Sequence, residues 1–256
     1  MLTALTREVS PKLESCELTH LDRQPIDVSL AQTQHLQYQA ALAELGCHIV
    51  DVPPTPDLPD SVFVEDTAVV FDELAVITRP GAESRKPETA SVAASLEPYR
   101  QLAHITAPGS LDGGDVLRYG SNVFAGISER SNEAGIKQLA TILSPYAYRT
   151  KGVDIEGCLH LKSAVTQVSE DTLLINSDWV DPDHFEGMNL IQVDPTEPMA
   201  ANALRIGAAI IYPAHFPNTL LRLEAAGISV RTVDISELAK AEGAVTCCSL
   251  VFEDGS

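Results

Sequence analysis

Five polar or reactive residues recur along this chain at nearly even intervals. Asp66, Asp115, His160, Asn202 and Cys247 each stand where an apolar, strand-like run opens, and they lie 49, 45, 42 and 45 residues apart. Behind each opening residue comes a similar order of strand, turn, strand, with helix and strand following where they can be traced. A period of this length marks units that cannot bury their apolar faces alone and must pack against neighbours. Five ββαβ units predict an α/β fold of the five-bladed propeller type with pseudo-fivefold symmetry. The ring closes when the last run, "CCSLVF", pairs with the first, "LTALTREV". One domain over residues 1–256 follows, with the opening residues directed at the central axis. Expected elements include a helix at 29–45 and strands at 47–52, 62–71, 74–78, 103–106, 147–149 and 229–233. Further helices are expected at about 87–96, after a Ser131 or Asn132 cap, and at 218–226.

The charge excludes several partner classes. Acidic residues outnumber basic ones 36 to 17, a net charge of −19. Such a surface repels nucleic acid and anionic membranes and suits a cationic small molecule. No apolar run reaches membrane-spanning length and the first residues carry no leader pattern. Five cysteines form neither a disulfide framework nor a CxxC pair. A cytoplasmic protein with reduced thiols is expected. Oligomeric state is not readable, and a homodimer is compatible with the composition.

One stretch is at odds with its surroundings. Residues 58–85, "LPDSVFVEDTAVVFDELAVITRPGAESR", read as two strands, yet Glu65 and Asp66 interrupt the first. Alternation sends at least one carboxylate inward. A buried carboxylate without a partner is very costly, so a cation is expected beside it.

If the opening residues converge, a thiol, an imidazole and carboxylates share one site. Cys247 then suits a nucleophile and His160 an acid–base group, with a neighbouring cation lowering the thiol's pKa. Asp112, before two glycines in "LDGGDVL", can reach the histidine and orient it. Each alone reads more often as structure: a buried thiol, a core histidine, a turn. Zinc held by Cys247, Cys248 and His160 matches no zinc spacing, so no metal is expected. Carboxylates around a thiol suit a cationic electrophile. A guanidinium fits, being planar and permanently charged, with N–H groups that pair with carboxylates.

The motifs "LPDSVFVEDTAVV", "ITRPGAESR", "LDGGDVL", "GISERSNEAG", "CLHLKS" and "EGAVTCCSLVF", in this order, resemble the dimethylarginine dimethylaminohydrolases of the guanidine-modifying (pentein) superfamily, from about Leu18 to Phe252. The resemblance implies a five-bladed α/β propeller and hydrolysis of dimethylarginine and monomethylarginine to citrulline, without a cofactor. It implies Cys247 as nucleophile, His160 as proton donor and then base, and Asp112 as its carboxylate partner. It places Asp66, supported by Glu65 and Asp60, on the guanidinium of a cationic guanidino amino acid. Arg85 and Arg130 fall on its carboxylate. The backbone carbonyls of Leu18, on a lid "ELTHLDRQ", and of Ala241 fall on its amino group. Cys248, as the strand neighbour of Cys247, is expected to point away. Another pentein hydrolase, such as an arginine deiminase, and a non-catalytic guanidino binder are the alternatives.

Overall fold

A computed structural model describes residues 1–254, and it consists of five three-stranded sheets of one pattern. The first sheet joins β1 (Leu2–Thr6) to β2 (His48–Asp51) in parallel. The others are β3 (Ala68–Val70), β4 (Leu74–Ile77) and β5 (Gln101–His104); β6 (Val116–Tyr119), β7 (Asn122–Ile127) and β8 (Arg149–Asp154); β9 (Val165–Gln167), β10 (Thr172–Ile175) and β11 (Asn189–Gln192); and β12 (Leu204–Ile206), β13 (Ala209–Pro213) and β14 (Ser229–Val233). Each has an antiparallel hairpin followed by a parallel third strand. The last strand, β15 (Leu250–Glu253), pairs antiparallel with β1, Leu2 opposite Glu253, so the N-terminal strand completes the C-terminal blade. This is the expected five-bladed ring.

A helix or helical turn crosses between the second and third strands, as a parallel pair requires. Val28–Glu44 is capped by Asp27, whose side chain accepts from the Leu30 N–H. Glu133–Leu143 is capped by Asn132. Ser131, the other capping candidate, is used elsewhere. The remaining crossings are Thr89–Leu96, Pro217–Ala225 and, in the fourth blade, only a 3₁₀ turn at Pro182–Phe185. Apolar side chains pack between neighbouring blades in five clusters. Leu5, Val64, Ile77 and Phe252, for example, join the first blade to the second.

Three local expectations differ. Residues 62–67 are not strand: Val64–Thr67 is a 3₁₀ turn and β3 begins only at Ala68. The turn lets both Glu65 and Asp66 be buried, 6 % and 3 % exposed, which alternation along a strand forbids. Cys247 and Cys248 likewise lie in a turn before β15. The third strand of the third blade runs to Asp154, well beyond the 147–149 expected. All five opening residues fall outside the strands, in the irregular segments ahead of their first strands: Asp66, Asp115 and Cys247 in turns, Asn202 in a loop, and His160 at the start of a short helix, Leu161–Ala164. A turn aims a side chain along the axis, where a strand would direct it into a blade interface.

Candidate active site

The turns ahead of the blades converge at one end of the axis. Glu17, Asp60, Asp66, Arg85, Arg130, His160 and Cys247 are among the residues lining a narrow pocket there whose free volume is about 20 Å³. That is room for about one water molecule.

His160 sits between two carboxylates. Its Nε2 is 3.1 Å from Asp112 Oδ2, and its Nδ1 is 3.8 Å from Asp66 Oδ1. Burial disfavours the imidazolium, but Asp66, Asp115 and Asp112 outweigh it and lift His160 to about 9. Asp112 is held in turn: its Oδ1 accepts the Gly81 N–H at 2.9 Å, and its own N–H donates to Ser131 Oγ. The glycines after Asp112 allow a close approach. A Cβ at Gly113 lies 2.0 Å from the Glu65 carbonyl oxygen, and one at Gly114 lies 2.6 Å from His160 Nδ1. Any side chain at Gly114 would keep the imidazole from settling against the loop, and one at Gly113 would collide with the backbone at Glu65.

Glu65 and Asp66, the two carboxylates that interrupt the apolar run, each have a cation supplied by the chain itself. Asp66 Oδ2 meets Arg85 Nη1 at 2.5 Å, and Oδ1 accepts the Gly114 N–H. Burial raises the Asp66 pKa, but His160 and Arg85 together hold it down at about 2. Glu65 does not line the pocket. Its Oε1 takes Lys162 Nζ at 2.6 Å, its Oε2 takes the Thr246 hydroxyl, and its N–H donates to the Cys247 carbonyl at 3.1 Å. It lies beneath the thiol, between the pocket and a separate cavity of about 380 Å³ on the far side of the axis. Lys162, unremarked in the sequence, is its partner. The signal for it was two residues from His160, in "CLHLKS".

Arg85 is 4 % exposed and largely committed inside the protein, to Asp66, to Glu88, and to the carbonyls of Asp60 and Phe63. Removing it strands two buried carboxylates, typically a loss of about 3–5 kcal/mol. Arg130 is freer, with one contact, Nη2 to the Thr19 hydroxyl at 2.8 Å. Asp60, 5 % exposed, accepts the Glu17 N–H on both oxygens. Leu18 packs on the first apolar cluster, and Ala241 is buried at the pocket wall. Of the other opening residues, Asp115 is fully buried against Ser128, Ser131 and the Leu161 N–H, and Asn202 ties Lys162 to Thr246. They brace the axis without lining the pocket.

The two thiols diverge. Cys247 is partly exposed at the pocket, whereas Cys248 is 1 % exposed in the core. Burial, then Glu65 and Asp66, push the Cys247 thiol well above 9. The unliganded site therefore pairs a neutral thiol with a charged histidine. Alkylation of Cys247 by iodoacetamide is expected to be slow at neutral pH, to rise only in alkaline solution, and to quicken at pH 7 when the local negative charge is reduced by Glu65→Gln. A fast, pH-independent reaction contradicts the electrostatics.

Asp66, Asp112 and His160 form the one cluster of potential metal ligands among the described residues. Asp66 is already paired with Arg85, and His160 has a carboxylate facing each ring nitrogen. That arrangement suits a proton on each nitrogen.

Five such blades around a site of this composition define a guanidine-modifying α/β propeller, and residues 52–210 match the family model described as arginine deiminase. The chain is 39 % identical over 249 residues to an N(G),N(G)-dimethylarginine dimethylaminohydrolase of Streptomyces coelicolor, covering 96 % of this chain and 95 % of that one. It is 35 % identical over 228 residues to the Pseudomonas aeruginosa protein of the same name, covering 88 % and 90 %. A Pseudomonas aeruginosa structure of such a protein, a cysteine-to-serine variant complexed with citrulline, superposes with a TM-score of 0.94 at 32 % identity, over 98 % of this chain and all of that one. The chain belongs to the dimethylarginine dimethylaminohydrolase family.

Proposed function

We propose that this chain hydrolyses Nω,Nω-dimethyl-L-arginine to L-citrulline and dimethylamine, and the monomethyl compound to citrulline and methylamine, through a covalent intermediate on Cys247. The observation that carries this reading is one narrow pocket lined by Cys247, His160, Asp66 and Arg130. We assign the whole chain to one catalytic unit acting in the cytoplasm. No helix among the described residues is long and apolar enough to cross a membrane.

An entering guanidinium brings positive charge beside Asp66 and Glu65, the groups that raise the thiol's pKa. It thereby favours the thiolate, whose proton is released to solvent because His160 is already charged. The sulfur attacks the guanidinium carbon, and the bond from that carbon to the dimethylated nitrogen breaks. His160, charged at neutral pH, gives its proton to the departing amine, leaving an S-alkyl thiouronium. Neutral His160 then takes a proton from water as its oxygen attacks the same carbon. The carbon–sulfur bond breaks, the added hydroxyl gives up its remaining proton to solvent as the ureido group of citrulline forms, and the thiolate and the charged His160 are restored. Asp112 holds the imidazole through both transfers, and Asp66 keeps the carbon in line with the sulfur.

The match to arginine deiminase supports a second reading, in which unmodified arginine is the substrate and ammonia leaves. Citrulline release from arginine and both methylated forms, measured side by side, separates the two. The proposal expects the methylated forms to be faster, with citrulline and methylated amine in equal amounts. Faster release from arginine establishes the deiminase reading.

Arg130 is proposed to hold the α-carboxylate. Arg130→Ala is expected to lower kcat/KM for dimethylarginine roughly ten- to a hundredfold while leaving the decarboxylated analogue nearly unaffected. The loss corresponds to one charged hydrogen-bonded contact of about 1.5–3 kcal/mol. Equal loss on both substrates makes Arg130 a structural residue. Arg85→Ala is the poorer probe, because it also breaks the buried Asp66 and Glu88 pairs.

A further inference from the structure

Glu242 is one of two non-glycine residues with positive φ among those described, at +58°. It follows the short helix Ser236–Ala239. The Gly243 N–H reaches the Leu238 carbonyl and the Glu242 N–H the Ala239 carbonyl, the hydrogen-bond pattern of a helix end whose left-handed position is usually glycine. A glycine stands one place later, where a Cβ meets Phe63 Cε1 at 2.2 Å. Packing accounts for Gly243. It gives no reason for a glutamate in the strained position.

The side chain supplies one. Glu242 Oε2 accepts the Thr19 N–H at 3.0 Å, and Oε1 accepts the N–H groups of His20 and Leu21 at 2.5 and 2.6 Å. One carboxylate thus gathers three consecutive amides of the 17–21 segment. In a trans peptide the carbonyl points opposite the N–H of the next residue. Fixing the Thr19 N–H on Glu242 therefore fixes the direction of the Leu18 carbonyl. The positive φ of Glu242 sets the peptide that carries the Ala241 carbonyl. One residue orients, by its side chain and its backbone, both carbonyls assigned to the substrate's α-amino group.

We propose that Glu242 is a positioning residue that latches the 17–21 segment over the pocket and aims the Leu18 and Ala241 carbonyls at the α-ammonium group of the substrate. The assignment of that end of the substrate rests on the proposed function. The free volume of about 20 Å³ is smaller than an amino acid, and Glu17, at the start of this segment, lines the pocket, so on this proposal the segment lifts for entry and the latch releases and re-forms.

The test uses Glu242→Gly, which suits the helix end and removes the carboxylate, and Glu242→Gln, which keeps an acceptor. Two readouts are taken. The first is kinetic, on dimethylarginine and on its analogue lacking the α-amino group. Glu242→Gly is expected to raise KM for dimethylarginine roughly ten- to a hundredfold, with a smaller change in kcat, and to change the analogue less than about threefold. Glu242→Gln should restore part of the loss. The second is trypsin cleavage after Arg23, an exposed residue just beyond the latched amides, which local opening accelerates. Glu242→Gly should speed it markedly. The proposal is overturned if both substrates suffer by the same factor, or if cleavage after Arg23 does not change. Should the wild-type chain release no citrulline, the proposed function fails, and the latch stands or falls on the cleavage alone.

Discussion

Cys247→Ser is expected to reduce citrulline release to background, while Cys248→Ser retains a substantial part of it. The thiols are adjacent in sequence but not in environment. Cys247 lines the pocket beside His160, and Cys248 is buried with its Sγ directed at the Ala244 carbonyl, 3.7 Å away. A serine hydroxyl stays protonated under these conditions and is a far weaker nucleophile toward a guanidinium carbon. Cys248→Ser places a hydroxyl in a tight apolar site, so a moderate loss through stability is consistent with the assignment. Circular dichroism and thermal unfolding separate that loss from chemistry. Equal inactivation of two folded variants refutes it.

His160→Gln is expected to lower kcat by about a hundred- to ten-thousandfold, the usual contribution of a positioned acid–base group. Glutamine can still donate a hydrogen bond to Asp112 but has no proton that it can transfer at neutral pH. The wild-type pH profile carries the sign. The carboxylates hold the folded imidazole at about 9, above its ordinary 6.5. The acid form therefore persists through neutral pH and is lost as pH rises through about 9. Activity limited by amine departure should fall on that alkaline side. A variant lacking His160 that keeps a tenth of the wild-type rate requires a different proton donor.

The ring was legible because each opening residue is chemically out of place at the head of an apolar run. Spacing together with residue type located Asp66, Asp115, His160, Asn202 and Cys247, and all five lie outside the strands, ahead of the first strand of a blade. The role of each turn was not legible. Apolar residues on both sides of Glu65 and Asp66 read as a continuous strand, whereas the 3₁₀ turn Val64–Thr67 sends both carboxylates inward by a route with no two-residue period. The cation expected beside each carboxylate is supplied within the chain, Arg85 for Asp66 and Lys162 for Glu65. Those partners are distant in sequence, 19 and 97 residues away, and nothing in local pattern joins them. Glu242 was hidden for another reason. A glutamate before a glycine near a helix end looks like an ordinary exposed residue, and neither its backbone angle nor the three amides it gathers leave a trace in the residue string.

The central claim is a covalent bond between Cys247 and the guanidinium carbon. Rapid acid quench of the Cys248→Ser enzyme turning over dimethylarginine, followed by mass spectrometry of the C-terminal tryptic peptide from Ala241, measures it directly. The account predicts a transient adduct on Cys247 equal in mass to the substrate less dimethylamine, forming and decaying at rates consistent with turnover. Citrulline production at the full rate with Cys247 unmodified throughout contradicts it.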